Sequence, residues 1–345
     1  MTTLINELLL ALPMPAIAID GSERIMAANT DAHTLIGQGI EGRNYVTILR
    51  QPPLIDAIEK TLADSLARTS TYLANDGVED TTYQVTVRVV PGAHVIVLCF
   101  IDITHLQQAG QMRRDFVANV SHELRTPLTA LMGFIETLRG PARDDAAARD
   151  RFLDIMEGEA GRMNRLVGDL LSLSRVEGEQ RVRPRGQVVL NDVLASVLQA
   201  LSPLAKDHGM TVETAFPNTP VTMTGDTDQL KQVFTNLVEN AIKYGTAGKR
   251  VTIAMRQVER DPALRAPAVR VEVIDYGAGI DAVHLPRLTE RFYRADGHRS
   301  RALGGTGLGL AIVKHIINRH RGRLRVESEV GKGARFTVIL PLELG

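Results

Sequence analysis

The spacing of apolar and polar positions changes twice along the chain, and each change predicts a different kind of structure. From Pro15 to about Asp102 the apolar runs are short and strand-like, with a helical middle. AIAID and RIMAAN flank Gly21 and Ser22, which predicts two strands around a turn whose positive φ angles come from the Asp20-Gly21 pair. Asn29, Thr30 and Asp31 offer capping side chains for a following helix. YQVTVRVV and AHVIVLCFID alternate like an antiparallel pair joined through Pro91 and Gly92.

From Thr104 to about Gly178 the period lengthens to that of a helix. Two long helices are expected, separated by RGPARDD at 139–145, where Gly140 and Pro141 stop the first and Asp144 and Asp145 start the second. Val117, Val120, Leu124, Leu128, Leu131, Ile135 and Leu138 form one apolar stripe on the first helix. A single hairpin buries only part of such a stripe, so pairing into a dimeric four-helix bundle is the physical expectation. RVEGEQRVRPRGQ at 175–187 reads as a polar linker.

Beyond Val188 helices and strands mix. Helices are expected near Leu190 to Leu204, Asp226 to Tyr244 and Leu308 to His320, with strands at 210–215, 251–258 and 268–275 and a closing hairpin. This pattern predicts an α+β sandwich with helices on one face of a mixed sheet. The domain expectation is therefore 1–105, 106–180 and 181–345, a multidomain α+β protein.

Charge sharpens the division. The 40 basic and 40 acidic residues balance, so there is no overall basic footprint for nucleic acid or an anionic membrane. Residues 1–105 carry 6 basic and 12 acidic side chains, leaving the remainder mildly basic. The single cysteine, Cys99, can neither close an intrachain disulfide nor build a thiolate zinc site, which points to a reducing, cytoplasmic compartment. The apolar start, Leu4 to Ile19, is interrupted by Asn6, Glu7, Pro13 and Pro15 and reads as neither signal peptide nor membrane span.

Four constellations carry chemistry. His122 lies roughly 160 degrees from the centre of the apolar stripe at about 100 degrees per residue, so its imidazole should face water. Glu123 is adjacent, and its carboxylate is expected to hold one ring nitrogen as N–H, leaving the other nucleophilic; Thr126 shares the side of His122. Pro127 breaks a helical rule at a cost of about 3 kcal/mol and frees a carbonyl nearby, as functional sites tolerate. Asn236, Asn240 and Lys243 share a helical face, where two amide oxygens and an ammonium can hold a hard cation and phosphate oxygens. In DYGAGI, Asp275 ends an apolar strand where it can accept from the exocyclic amine of a base, and Gly277 and Gly279 allow close approach of a ligand. GGTGLGLAIVKHI at 304–316 runs from four glycines into an amphipathic helix, aiming backbone N–H groups and the helix dipole at an anion.

Familiar alternatives fail. GKGA at 331–334 lacks the Ser or Thr of a P-loop, neither glycine cluster has the context of a dinucleotide fingerprint, and the nine histidines show no metal-ligand spacing. His33, His94 and His105 read as surface or core residues as readily as haem ligands.

Taken in order, FVANVSHELRTPLTAL, NLVENAIKYG, DYGAGI with ERFYRAD, and GGTGLGLAIVKHI resemble sensor histidine kinases of the HisKA type over residues 112–345. The first ninety or so residues resemble a PAS domain in pattern, and with that front the whole looks most like the PhoR-type phosphate-sensing kinases. The resemblance implies a bacterial protein with a dimerisation and histidine-phosphotransfer hairpin followed by a Bergerat-fold (GHKL) ATPase domain, as in DNA gyrase and mismatch-repair ATPases. It implies that His122 is the phosphoacceptor, Glu123 the acid or base beside it, and Thr126 the residue that positions water for dephosphorylation of the partner. Asn240 would ligate Mg2+ with help from Asn236, while Lys243 and Tyr244 would contact ATP. Asp275 would read the adenine amine, with Gly277 and Gly279 opening the pocket. Phe292 and Arg294 would belong to a mobile lid, and Gly305, Thr306, Gly307, Leu308 and Gly309 would shape the phosphate end. The implied partners are a second copy of the chain, the receiver domain of a response regulator and, since no spanning helix precedes the PAS-like part, a membrane-associated sensory protein. Two other function classes compete. A nucleotide-gated ATPase would release phosphate without a phosphoenzyme, and His122 with its neighbours argues against it. A non-catalytic scaffold that docks a regulator is disfavoured by the intact ATP motifs.

Overall fold

The computed structural model describes residues 2–75, 80–179, 182–296 and 304–343, and the chain divides into two compact units, Met1–Ala118 and Asn119–Gly345. In the first unit, strands β1 (Ala16–Ile19), β2 (Ile25–Ala28), β3 (Arg68–Asn75), β4 (Asp80–Val90) and β5 (Val95–Asp102) form an antiparallel sheet in the order β2-β1-β5-β4-β3. Helix α1 (Thr2–Leu10) packs on β1 and β2, with Ile5 and Leu9 against Ala16, Ala18 and Ala27. A second core gathers α2 (Thr30–Ile36), α3 (Tyr45–Leu49) and α4 (Pro52–Asp64) around Ile17, Leu54, Ile58, Val85, Leu98 and Phe100. With apolar layers on two sides, β1 has no solvent face, and all four of its residues are buried.

The strands around Gly21 form, but the positive φ falls on Glu23 (65°) and not on Gly21. Asp20 Oδ1 accepts from the Ser22 and Arg24 amides at 2.8 and 3.1 Å, so a side-chain turn replaces the expected glycine turn. Asn29 caps α2 as expected and does more. Its Oδ1 accepts from the amides of Ala16 and Ala32, and its Nδ2 donates to the carbonyls of Leu9 and Met14 at 3.1 and 2.7 Å.

The second unit contains most of a helical hairpin and a mixed sandwich. Helices α5 (Thr104–Arg139) and α6 (Ala146–Gly178) are broken where the sequence predicts, and Asp145 caps α6 through the Ala148 amide at 2.9 Å. Helix α5 runs through Pro127 without ending. Phe134 and Phe152 hold the hairpin together at a centroid separation of 5.3 Å. The stripe on α5 is split: Val120, Leu124, Leu131 and Leu138 are half-buried, while Val117, Leu128 and Ile135 stay 58%, 49% and 43% exposed. One hairpin thus covers half of its apolar stripe.

The sandwich sheet has the order β11-β12-β10-β9-β7, from β7 (Thr211–Ala215), β9 (Arg250–Val258), β10 (Ala268–Asp275), β11 (Arg323–Ser328) and β12 (Ala334–Pro341). Only β7 and β9 run parallel, so the sheet is mixed. Helices α7 (Leu190–Asp207), α8 (Thr227–Tyr244) and α9 (Gly309–Arg319) supply the apolar layer, with Leu230, Phe234, Leu237 and Ile316 fully buried. The stretch 175–187 departs from the expected linker. Its start continues α6, and its end enters β6 (Gly186–Val189), which pairs with β8 (Thr222–Gly225); Gln180 and Arg181 lie outside the described residues. Helix α9 packs on both α6 and α8, which is why the hairpin and the sandwich cluster as one unit. Among the described residues no helix is long and apolar enough to cross a membrane.

Candidate active site

A cavity of about 520 Å³ opens in the second unit between α6, α8, the end of β10 and the glycine run before α9. Asp226 starts α8 by accepting from the Asp228 and Gln229 amides, and the apolar face of that helix is buried in the sandwich. The opposite face therefore turns Asn236, Asn240, Lys243 and Tyr244 to the cavity, as the helical spacing requires. Lys243 Nζ is held by Glu239, one turn back, at 2.6 Å. Asn236 Oδ1 lies where a Cβ on Gly309 would be only 3.1 Å away, so Gly309 lets α9 start against the amide.

Asp275 ends β10 and is 6% exposed. Its Oδ1 accepts from the Gly277 amide at 2.9 Å and the Ala334 amide at 3.3 Å, and burial pushes its carboxyl above the ordinary carboxylate range. Gly279 also lines the cavity; at φ 72° it lies against the Glu329 carbonyl, where a side chain has no room. Gly277 is not in the cavity wall and acts through its amide on Asp275.

The phosphate-end candidates separate in the same way. Gly305, Thr306, Gly307 and Gly309 line the cavity, whereas Leu308 is fully buried and anchors the start of α9. Gly307, at φ 75°, is pressed against the Phe292 backbone and accepts the Phe292 amide at 2.8 Å. Phe292, itself at φ 63°, therefore ties the segment before it to the glycine run without lining the cavity. Arg294 does line it. Its side chain is 9% exposed, and its Nε is buried with no hydrogen-bond partner among the described residues.

At the phosphoacceptor candidate, His122 is exposed on α5, as expected. Thr126 Oγ1 donates to the His122 carbonyl at 3.1 Å, which turns the hydroxyl toward the turn that Pro127 interrupts. Glu123 differs from expectation. Its carboxylate does not hold the His122 ring; it accepts from Arg162 of α6 at 3.1 Å and from Arg294 at 3.0 Å. Neighbours in a helix point about 100 degrees apart, and two guanidinium groups outcompete a strained bond to the adjacent ring.

Several residues in the cavity wall or close to it in the chain or in space were not singled out by sequence reasoning; His284, Tyr293 and Asp169 line the cavity. His284 Nδ1 lies 2.6 Å from the Tyr293 hydroxyl, and Arg287 stacks on the Tyr293 ring at 4.2 Å. From α6, Asp169 accepts from Thr306 Oγ1 at 2.6 Å, and burial, opposed by that bond, pushes its carboxyl up. Glu177, read as linker, receives Arg291 at 2.5 Å and lies 3.4 Å from His315 Nε2. The Thr306–Asp169 and Arg291–Glu177 pairs join positions 137 and 114 residues apart, so no local spacing signals them.

The donor set fits a nucleotide with its metal. Two amide oxygens suit a hard cation, a buried carboxylate suits an amine donor, and the orphaned Arg294 Nε is a donor awaiting an acceptor.

Comparison with known proteins supports the nucleotide part of this fit. Residues 112–179 match the family described as His Kinase A (phospho-acceptor) domain, and residues 225–344 match Histidine kinase-, DNA gyrase B-, and HSP90-like ATPase. The phosphate regulon sensor protein PhoR of Pseudomonas aeruginosa is 43% identical over 239 residues, 68% of this chain and 52% of that protein. The sensor protein kinase WalK of Staphylococcus aureus is 38% identical over 243 residues, 70% of this chain and 57% of its own. The chain thus spans about half the length of these curated relatives. The histidine kinase ThkA, solved in complex with response regulator protein TrrA, shares the fold at a TM-score of 0.53 and 20% identity, over 97% of this chain and 98% of its own. Carrying both a phosphoacceptor hairpin and a histidine-kinase-type ATPase domain, the chain belongs to the HisKA-type sensor histidine kinases.

Proposed function

We propose that this chain takes ATP with Mg2+ in the cavity, transfers the γ-phosphoryl group to His122, and passes it on to an aspartate in the receiver domain of a response regulator. The observation that carries the reading is the ion pair between Arg294, in the cavity wall, and Glu123, the residue next to His122. It supports the reading by tying the turn that carries His122 to a side chain of the cavity wall.

In this reading a lone pair on the free His122 ring nitrogen forms the N–P bond as the bridging P–O bond breaks. ADP leaves with the electron pair, and the ring proton is lost to a base. Phosphoryl transfer depends on positioning and charge neutralisation more than on covalent chemistry. Asn240 and Asn236 would hold the metal, which would supply neutralisation of phosphate charge when bound. Asp275 accepts the adenine amine, Lys243 and Tyr244 contact the nucleotide, and the glycine run wraps the phosphates. Glu123 becomes the acid or base only after exchanging its guanidinium partners, and Arg294 is then released toward the phosphates. Thr126, exposed and next to the acceptor turn, positions water when the same protein dephosphorylates its partner.

The half-exposed stripe of α5 supports a homodimer. The five-stranded antiparallel sheet with α2 to α4 on one side supports a PAS-like sensor in the first unit. The likeness to PhoR supports phosphate-regulon signalling as the pathway. Incubation with γ-labelled ATP tests the enzyme. Acid-labile, alkali-stable label is expected on the wild type and none on His122→Ala, and equal labelling of the two would overturn the proposal.

A further inference from the structure

Two charged side chains in the cavity wall belong to the phosphotransfer hairpin and not to the sandwich: Arg165 and Asp169, one turn apart on α6. Asp169 is committed, holding the glycine run through Thr306 at 2.6 Å. Arg165 is not. The other cationic side chains of the cavity, Lys243 and Arg294, are paired with Glu239 and Glu123. Arg165 makes no ion pair among the described residues, although its charge acts on Asp169. Its Nη2 lies against Gly304 at the outer end of the glycine run, where a Cβ would be only 3.0 Å away.

We propose that Arg165 binds the terminal phosphate of the nucleotide, so that the hairpin carrying the phosphoacceptor reads directly whether the sandwich holds a triphosphate or a diphosphate. The inference rests on the nucleotide reading above. With the base at Asp275, the glycine run is the phosphate end, and the phosphate to be transferred is the one nearest the hairpin that receives it. A guanidinium suits this task, because its fork of N–H groups matches phosphate oxygens and keeps its charge at any working pH. The carboxylates of Asp169 and Glu239 both line the cavity and repel a bare triphosphate, a repulsion that the guanidinium, and a metal at Asn236 and Asn240, would offset. Asp169 acts through Thr306 as a positioning residue that keeps the glycine run beside Arg165. Loss of the terminal phosphate removes the bond from α6 to the nucleotide, which loosens the sandwich from the hairpin once transfer is complete.

The test is calorimetric titration of the full chain, in Mg2+, with a non-hydrolysable ATP analogue and with ADP. Arg165→Gln should weaken the analogue roughly tenfold, the loss of one charge-assisted contact. ADP should weaken by about threefold or less, since only longer-range attraction is lost. Arg165→Lys should restore part of the difference, because it returns charge without the fork. The side chain is exposed, so the melting temperature of Arg165→Gln should match the wild type. Unchanged affinity for both nucleotides, or an equal loss for both, would overturn the inference while leaving the nucleotide site intact. A wild type that binds neither nucleotide would remove the proposed function itself.

Discussion

Asn29 in the first unit and Asp275 in the second are both nearly inaccessible polar side chains, 2% and 6% exposed, yet they are treated in opposite ways. Asn29 spends both ends of its amide on the protein, accepting from two backbone amides and donating to the carbonyls that bring α1 onto the sheet. Asp275 has two amides converging on one carboxylate oxygen, yet burial outweighs them and pushes its carboxyl above the ordinary range. A buried polar group fully satisfied from within stabilises a fold, whereas one held at a cost beside a cavity is kept for something that arrives from outside. The surroundings agree: Phe100 meets Tyr72 and Tyr83 edge-on in a filled core, while Asp275 faces about 520 Å³ of open space.

This contrast can be broken most forcefully at Asn29. Asn29→Ala leaves two amides and two carbonyls without their partner and should lower the unfolding free energy of the first unit by about 3 kcal/mol. Nucleotide affinity should be unchanged. Denaturant titration alongside nucleotide binding checks both, and a stable variant would mean that the buried amide is not the anchor of α1.

Asp275→Asn should do the reverse. Nucleotide affinity should fall about thirtyfold, roughly 2 kcal/mol for a charge-assisted bond. The melting temperature at neutral pH should equal or exceed that of the wild type, because the variant removes a charge that burial disfavours. A large drop in melting temperature would show that the carboxylate is structural after all.

Acidity sharpens the same point. The Asp275 carboxyl is raised in the fold, so the folded state binds its proton more tightly than the unfolded chain does. Its contribution therefore favours folding as pH falls and opposes it as pH rises through that range. If Asp275 accepts the base amine as proposed, binding needs its ionised form, so affinity should decline on acidification at a pH above the ordinary Asp value of about 3.9. Affinity that stays constant into that range would contradict the role.

The smallest effect is expected at His320, which is fully buried, donates from Nδ1 to the Ile316 carbonyl and accepts the Asp226 amide on Nε2. Burial lowers its pKa, so its contribution is complete above the ordinary value of about 6.5 and is lost as pH falls below it. The melting temperature of the second unit should slope downward there, and His320→Gln should flatten the slope.

Much of this arrangement is legible in sequence wherever one element decides it. Gly140, Pro141 and Asp145 set the hairpin break, and the four-residue spacing of Asn236 and Asn240 sets the cavity face of α8. The order of the glycine run and α9 follows from local chemistry alone. What sequence reasoning missed is pairwise and distant. Glu123 finds Arg294, 171 residues away; Thr306 finds Asp169, 137 away; and Glu177 finds Arg291, 114 away. Such partners depend on how α9 and the segment around Arg294 settle against α6, which no helical or strand period encodes. At Gly21 the local rule was sound, but Asp20 found a competing solution through its own side chain.

The central claim is that a phosphoryl group from ATP comes to rest on one imidazole. The most direct measurement is residue-level mapping of the phosphorylated wild-type chain by mass spectrometry, with the sample kept near neutral pH so that a phosphoramidate survives. The modification should be found on His122 and on no other residue. Phosphate on a serine, threonine or aspartate, with His122 unmodified, would contradict it.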